Sequence, residues 1–332
     1  MTVPVAIPAF LVSLVAMLYA AQLFARRLDA VGLKLGLPES LLGLLTALAS
    51  DSPEVASAVS ALVRGERGAA VGVVVGSNAF NIAAMLGVSA IVASGIKARP
   101  ESVLVEAFVG LWVTAVVCAL VAGGIGAPLA LGLIAVVLLP YVAMLVLGPR
   151  GVRRLHLPRL AGFLRRSFGE GHPAPRVKPS REDALLRPLL LILADLVVIV
   201  ASASLLVSAS LALANHLDVS HALVGVFVLA ILTSLPNAVT GVRFGRSGRG
   251  SALVSETLNS NSINLVAGMA IPAAVGSLGA LRGLDVFDLA WLVGMTAVAL
   301  VVYGRRSAVT RAQGLLLVLL YLVFAAVQLA LA

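Results

Sequence analysis

Apolar runs of about 20 residues recur from one end of the chain to the other, separated by short polar stretches. That is the length a helix needs to cross the hydrocarbon core of a bilayer at about 1.5 Å per residue. Ten such runs can be drawn, near 4–25, 39–63, 68–95, 102–122, 127–147, 187–214, 221–244, 251–279, 285–303 and 312–331. The alternating segments of a membrane β-barrel are absent. The pattern predicts an all-α polytopic membrane protein with about ten transmembrane helices.

The longest polar stretch, 148–186, divides these spans into two groups of five. With an odd number of spans per group, the second group enters the membrane upside down relative to the first, as in an inverted repeat. The expected organisation is a first five-helix repeat at 1–147, a basic loop at 148–186 and a second five-helix repeat at 187–332. The first apolar run follows Met1–Pro4 with no basic segment before it, and so reads as a retained helix.

The distribution of charge agrees with this layout. Of the 24 Lys and Arg residues, 21 fall on the side of the 148–186 loop; Arg64, Arg67 and Arg282 fall on the other. The positive-inside rule then predicts a cell-membrane protein with a cytoplasmic central loop and both termini extracellular. The net charge of +9 therefore reads as an orientation signal, with the lipid bilayer as partner and no nucleic acid. Within the loop, 158–168 reads either as a surface helix on anionic lipid, through Leu160, Phe163, Leu164 and Phe168 with flanking arginines, or as a solvated basic loop.

Composition narrows the class further. The chain is 60% hydrophobic and 12% charged, against about 25% charged in soluble domains. That excludes a soluble enzyme, a disulfide-stapled secreted domain and a disordered chain. The single Cys118 lies in an apolar run and reads as a small core residue. The four histidines (His156, His172, His216, His221) read as loop residues without metal-binding spacing, and Asp195 reads as bundle packing. No hydrolase, zinc-enzyme or phosphate-loop motif is present, so an enzyme is not expected.

The two halves match in sequence. Shifting 47–84 by 183 residues aligns it without a gap to 230–267, with ten identities among the 38 positions. The informative ones are Pro53/Pro236 and the Ser-Asn-x-x-Asn pair at 77–81 and 260–264, polar or helix-breaking residues in mid-membrane. Proline has no N–H, so Pro53 removes the helical donor from the Ala49 carbonyl and Pro236 removes it from Leu232, predicting a helix break at each. Bare carbonyls persist in a membrane only where protein, water or an ion satisfies them. Oxygen-rich clusters beside such breaks suit hard cations.

Glu54 is the strongest signal, because a mid-helix carboxylate costs about 2.5–3.5 kcal/mol to insert and needs a pathway or a partner. It reads either as part of an ion path or as a protonated acid hydrogen-bonded within the bundle. Asp51 lies close enough to share a face and reads either as a ligand or as a helix cap. Ser77 and Asn81 share a face, as do Ser260 and Asn264, and both pairs read as neutral cation ligands. Asn78 and Asn261 read as helix packing. Glu256 reads either as a third carboxylate near the site or as a cavity-lining or protonated residue.

These paired motifs, Leu-Ala-Ser-Asp-Ser-Pro-Glu (48–54) with Gly-Ser-Asn-Ala-Phe-Asn (76–81), and Ile-Leu-Thr-Ser-Leu-Pro-Asn (231–237) with Asn-Ser-Asn-Ser-Ile-Asn (259–264), resemble the two α-repeats of the sodium/calcium exchanger family. The resemblance extends over the 5+5 layout and implies cation antiport by alternating access. Carried over by position, it implies ligands at Ala47 (carbonyl), Ser50, Asp51, Glu54, Ser77 and Asn81, and at Ala230 (carbonyl), Thr233, Ser234, Asn237, Ser260 and Asn264. This chain departs from the family where Asn237 and Asn264 replace acidic residues, where Ala49, Leu232 and Asn259 replace glycines, and where Asp51 replaces a neutral hydroxyl residue.

The expected function is exchange of Ca²⁺ or a related cation for Na⁺ or H⁺, with the cations bound transiently and no resident cofactor. Two alternatives are a monovalent cation/proton exchanger, favoured by the missing acidic ligands, and a transport-inactive scaffold or sensor. Retained Glu54 and the two prolines speak against the last.

Overall fold

The computed structural model describes residues 1–35, 37, 39–98, 100–154, 159, 162–163, 183–275, 283–304 and 308–331. The elements are helices of the two repeats in order. In the first repeat these are α1 (Val3–Lys34), α2 (Glu39–Ser50), α3 (Ser52–Val63), α4 (Arg67–Asn81), α5 (Ser89–Val92), α6 (Pro100–Val121) and α7 (Ala127–Arg154). In the second they are α8 (Asp183–Leu217), α9 (His221–Leu223), α10 (Ala230–Arg246), α11 (Gly250–Leu265), α12 (Ile271–Val275), α13 (Gly283–Gly304) and α14 (Arg311–Leu331). Three π-helical turns, Ile82–Val88, Val224–Leu229 and Val266–Ala270, join α4 to α5, α9 to α10 and α11 to α12.

Eight helical stretches among the described residues are long and apolar enough to cross a membrane. The expected spans at 39–63 and 251–279 are helical as far as they are described, but one is interrupted at Asp51 and the other is rich in Ser, Thr and Asn. The protein is a multi-pass helical membrane protein built as two repeats. The 183-residue offset extends beyond the aligned motifs: α6 and α13 begin and end at equivalent positions, and α4 and α11 begin at equivalent positions.

Several helices outrun the apolar runs that mark them. α1 continues through Arg26 and Arg27 to Lys34, α7 to Arg154, and α8 starts at Asp183. An apolar run measures the hydrocarbon thickness, and a helix ends only where its hydrogen bonding does. Arg27 is therefore a helical residue; from α1 it reaches Asp195 on α8 at 2.6 Å and the Leu191 carbonyl at 3.2 Å. Asp195 thus serves packing between α1 and α8, through an ion pair. His216 and His221 are helical, at the end of α8 and the start of α9, and not loop residues. His156, His172 and most of 148–186, including all but three residues of the 158–168 segment, lie outside the described residues.

The outer faces of α1, α8 and α14 are covered with exposed leucine and valine, as a lipid contact surface should be. α4 is the opposite, buried along nearly its whole length. It packs against α9, α10 and the turn between them, and small residues allow the approach: a Cβ on Gly76 would sit 2.5 Å from the Val226 carbonyl oxygen. Two short strands, β1 (Ile96–Lys97) and β2 (Ala308–Val309), pair antiparallel between the repeats.

Candidate functional site

The chain is interrupted between α2 and α3 at Asp51. Pro53 occupies the first turn of α3, where its missing N–H does least harm. The carbonyl it strands, that of Ala49, receives the Ser52 hydroxyl at 2.7 Å. At the equivalent place in the second repeat the expected break does not occur: α10 runs unbroken from Ala230 to Arg246 with Pro236 inside it. One lost N–H is tolerated within a membrane helix buried among others. The irregularity sits one step upstream, in the π-helical turn ending at Leu229.

Asp51 does not cap α3 with its side chain. Its carboxylate points across the repeat boundary, and Oδ1 accepts from Ser260 Oγ at 2.5 Å and from the Asn237 amide at 2.8 Å. Glu54 lies beside it, and Oε1 accepts from Ser234 Oγ at 2.9 Å and from the same Asn237 amide at 3.2 Å. Asn237 therefore holds both carboxylates at once. Asp51 and Glu54 have no exposed surface, and neither forms an ion pair with Lys or Arg among the described residues.

These contacts follow the repeat symmetry. The pair Asp51 with Asn237 is equivalent to the pair Ser234 with Glu54. Likewise the Asn81 amide donates to Ser260 Oγ at 3.0 Å, and the Asn264 amide lies 3.5 Å from Ser77 Oγ. The Asn264 amide also donates to Asn78 Oδ1 at 3.1 Å. Asn78 and Asn261 donate to each other's backbone carbonyls, so these two hold the helices together.

Every amide nitrogen in the cluster is spent as a donor, which leaves oxygens over. Asp51 Oδ2, Glu54 Oε2, Asn81 Oδ1, Asn237 Oδ1 and Asn264 Oδ1 are buried without a hydrogen-bond donor. An unsatisfied buried group costs about 1–3 kcal/mol, and more when charged. Two carboxylates with no positive counterpart also repel unless a cation or a proton lies between them. Carboxylate, amide and hydroxyl oxygens form the donor set of a hard cation. Among the described residues no three His, Cys, Asp or Glu converge, so neutral oxygens would supply much of any coordination.

The structure joins Asp51, Glu54, Asn81, Ser234, Asn237 and Ser260 in one hydrogen-bond network, and Ser77 with Asn264 and Asn78 in a second. Ser50 and Thr233, equivalent to each other, turn back onto their own helices: Ser50 donates to the Ala47 carbonyl at 3.0 Å, and Thr233 to those of Leu229 and Ala230 at 2.9 and 3.3 Å. The carbonyls of Ala47 and Ala230 thus already accept hydroxyl protons. Glu256, one turn before Ser260, is half-buried and outside both networks.

Sequence reasoning does not single out Glu106 on α6. It is buried, and its Oε1 accepts from Ser255 Oγ at 2.5 Å. The only signal is an acidic residue inside an apolar run, a few residues from its start, where a charge reads as interfacial. Asp288 on α13 is buried as well and accepts from Gln328 on α14. Cys118 is half-buried against the core.

Residues 5–148 and 187–330 both match the family described as sodium/calcium exchanger protein. The inner membrane protein YrbG of Escherichia coli (strain K12) is 25% identical over 267 residues, covering 80% of this chain and 78% of that protein. Two solved structures share the fold. The H⁺/Ca²⁺ exchanger CAX superposes with a TM-score of 0.69 at 16% identity, covering 96% of this chain and 81% of CAX. The sodium-calcium exchanger NCX_Mj, soaked with 10 mM Na⁺ and zero Ca²⁺, superposes at 0.62 with 21% identity, covering 98% and 99%. At these identities the likeness is one of fold.

Proposed function

The chain belongs to the sodium/calcium exchanger family, a family of cation antiporters and not of enzymes, and from that premise we propose that it exchanges Ca²⁺ or a related cation for Na⁺ or H⁺ at the Asp51–Glu54 site. The observation that carries the reading is a set of five buried oxygens without donors, two of them on carboxylates that have no basic partner among the described residues. Two ionised carboxylates balance one divalent cation, two monovalent ones or two protons. The ligands are Asp51, Glu54, Ser77, Asn81, Ser234, Asn237, Ser260 and Asn264, with Ser50, Thr233 and the carbonyls of Ala47 and Ala230 joining once their intrahelical bonds loosen.

The family's acidic residue at position 237 is an asparagine here, and a carboxylate stands instead at 51, hydrogen-bonded to that asparagine. The count of negative charges at the centre is thus kept at two while their position changes. Names such as H⁺/Ca²⁺ exchanger CAX and sodium-calcium exchanger NCX_Mj support Ca²⁺ as one cargo. A second reading, monovalent cation/proton exchange, is favoured by the neutral Asn237 and Asn264. The 21-to-3 distribution of basic residues supports a cytoplasmic 148–186 loop and extracellular termini.

The deciding experiment is flux into proteoliposomes. An outward Na⁺ gradient or an inward-acid pH gradient should drive ⁴⁵Ca²⁺ accumulation that collapses with an ionophore for the driving ion. Uptake of Na⁺ or K⁺ against H⁺, with no Ca²⁺ movement, would select the second reading. No flux of any of these ions would end both.

A further inference from the structure

Outside the central site, the described part of the bundle holds one more chain of buried polar groups built around a carboxylate with an unpartnered oxygen and no basic partner. Glu106 on α6 is 3% exposed; Ser255 on α11 donates to its Oε1 at 2.5 Å, and its Oε2 has no partner. The Asn259 amide reaches Ser255 Oγ at 3.4 Å, and the Tyr141 hydroxyl on α7 donates to Asn259 Oδ1 at 3.0 Å. In the chain Glu106–Ser255–Asn259–Tyr141, Asn259 immediately precedes Ser260, which donates to Asp51. α11 carries both Ser255 and Ser260.

We propose that Glu106 is a proton-binding site separate from the central cation site, and that α11 links the two. This rests on the antiporter reading and assigns the proton as a coupled ion. The ligand follows from the geometry. One oxygen of one carboxyl is open, while the Ser255 and Tyr141 hydrogens are spent on Glu106 and Asn259. A hard metal ion takes six or more oxygens, and a proton takes one. Binding forms an O–H bond on the carboxylate and removes the charge that an apolar surround penalises; release returns both.

Among the described residues Glu106 forms no ion pair with Lys or Arg. The titratable groups on the helices packed against α6 are Tyr141, Arg150, Arg153 and Arg154 on α7, Glu256 on α11, and Asp285, Asp288 and Tyr303 on α13. Arg150, Arg153 and Arg154 fall at the far end of α7, more than two turns beyond Tyr141. Tyr141 is the group that shares the Glu106 network, through Asn259, and it is itself a donor there. The link to the cation follows from α11. Ser255 and Ser260 are five residues apart on one rigid helix, so a shift that lengthens Ser260–Asp51 also disturbs Ser255–Glu106.

Infrared difference spectroscopy on the full-length protein in lipid tests this, because a protonated carboxyl has its own C=O stretch. Raising the pH should bleach a carboxylic acid band in the parent that is missing from Glu106→Gln. Ser255→Ala should shift that band upward in frequency, as the C=O oxygen loses its donor; this variant also serves if Glu106→Gln does not fold. A band equal in the parent and in Glu106→Gln, or unmoved by Ser255→Ala, overturns the proposal. Adding Ca²⁺, with binding followed by calorimetry, should bleach the same band. Ca²⁺ binding with the band untouched overturns the link through α11. A titrating Glu106 band together with no calorimetric binding of Ca²⁺, Na⁺ or K⁺ upholds the proton site and defeats the antiporter reading instead.

Discussion

Asn78 and Asn261 occupy the same position of the two repeats, and each donates its side-chain amide to the other's backbone carbonyl, at 3.1 and 3.4 Å. Such a reciprocal pair marks the local two-fold relation between α4 and α11. Glu54 and Asn237, also equivalent positions, meet at 3.2 Å. The proposed cation site is therefore built across the interface between the repeats, with residues drawn from both. Polar glue of this kind in a bilayer is worth about 0.6–2 kcal/mol per contact, enough to fix register between helices.

Glu54→Gln should abolish antiport and leave the protein folded. A glutamine keeps the Oε1 acceptor for Ser234 and Asn237 while losing the charge. Flux in proteoliposomes and the melting temperature in detergent check it together. Normal flux from stable protein would remove Glu54 from the ion path.

The Arg27–Asp195 pair should matter to stability and not to ion affinity. Asp195 is nearly buried and Arg27 is about a quarter exposed, so solvent screens the pair in part. Asp195→Leu alone leaves Arg27 facing apolar surface and should destabilise by about 1–3 kcal/mol, below the range for fully buried pairs. Arg27→Met with Asp195→Leu should recover most of that loss. Thermal melts of the single and double variants make the comparison, and additive losses would show that the pair is not coupled.

Much of the site is legible in the sequence because a bilayer makes polar residues expensive. Glu54, Asn81 and Asn264 stand out inside apolar runs, and the repeat offset pairs Asn81 with Asn264 and Glu54 with Asn237. Glu106 does not stand out: it lies a few residues into its run, where a charge can reach the headgroups, and its partner Ser255 is 149 residues away. The three π-helical turns leave no residue signature either, since they differ from an α-helix only in which carbonyl each N–H chooses. Pro53 and Pro236 look alike in sequence, yet only Pro53 follows a helix interruption. Ser52 donates to the carbonyl that Pro53 strands, and Leu235 at the equivalent position has no hydroxyl.

Gly76→Val should cost more than its surface area suggests. Its first added carbon would lie 2.5 Å from the Val226 carbonyl oxygen and 2.9 Å from Ala230 Cβ, pushing α4 from the second repeat beside the site. Overpacking of this kind costs about 1–3 kcal/mol. Reduced melting temperature together with weakened cation binding is the expected result; unchanged values in both would mean that α4 moves freely.

Single cysteines at Ser180 and in the Gly123–Gly124 turn should label from opposite sides of the membrane in intact cells. The basic asymmetry assigns the first to the cytoplasm and the second to the exterior. Labelling of both by an impermeant reagent would remove the five-span arithmetic on which the inverted arrangement rests.

Asp51 and Asn237 decide how uneven the site is. The Asn237 amide now donates to both carboxylates. Asn237→Glu removes that donor and adds a third negative charge, so the cation-free protein should melt at a lower temperature. Divalent binding should strengthen, because ligand charge tunes Ca²⁺ affinity. Asp51→Asn removes one of the two charges and should weaken Ca²⁺ binding by about 10–100-fold, which is about 1.4–2.8 kcal/mol. It should also leave Ser260 and Asn237 donating to an amide oxygen, a weaker bond than one to a carboxylate. Calorimetry with Ca²⁺ and with Na⁺ on each variant separates the terms. A selective loss of Ca²⁺ affinity in Asp51→Asn would make Asp51 the divalent determinant, and equal losses for both ions would make it a shared ligand. Unchanged affinity for both would leave Glu54 as the sole charged ligand and reduce Asp51 to a structural acceptor for Ser260.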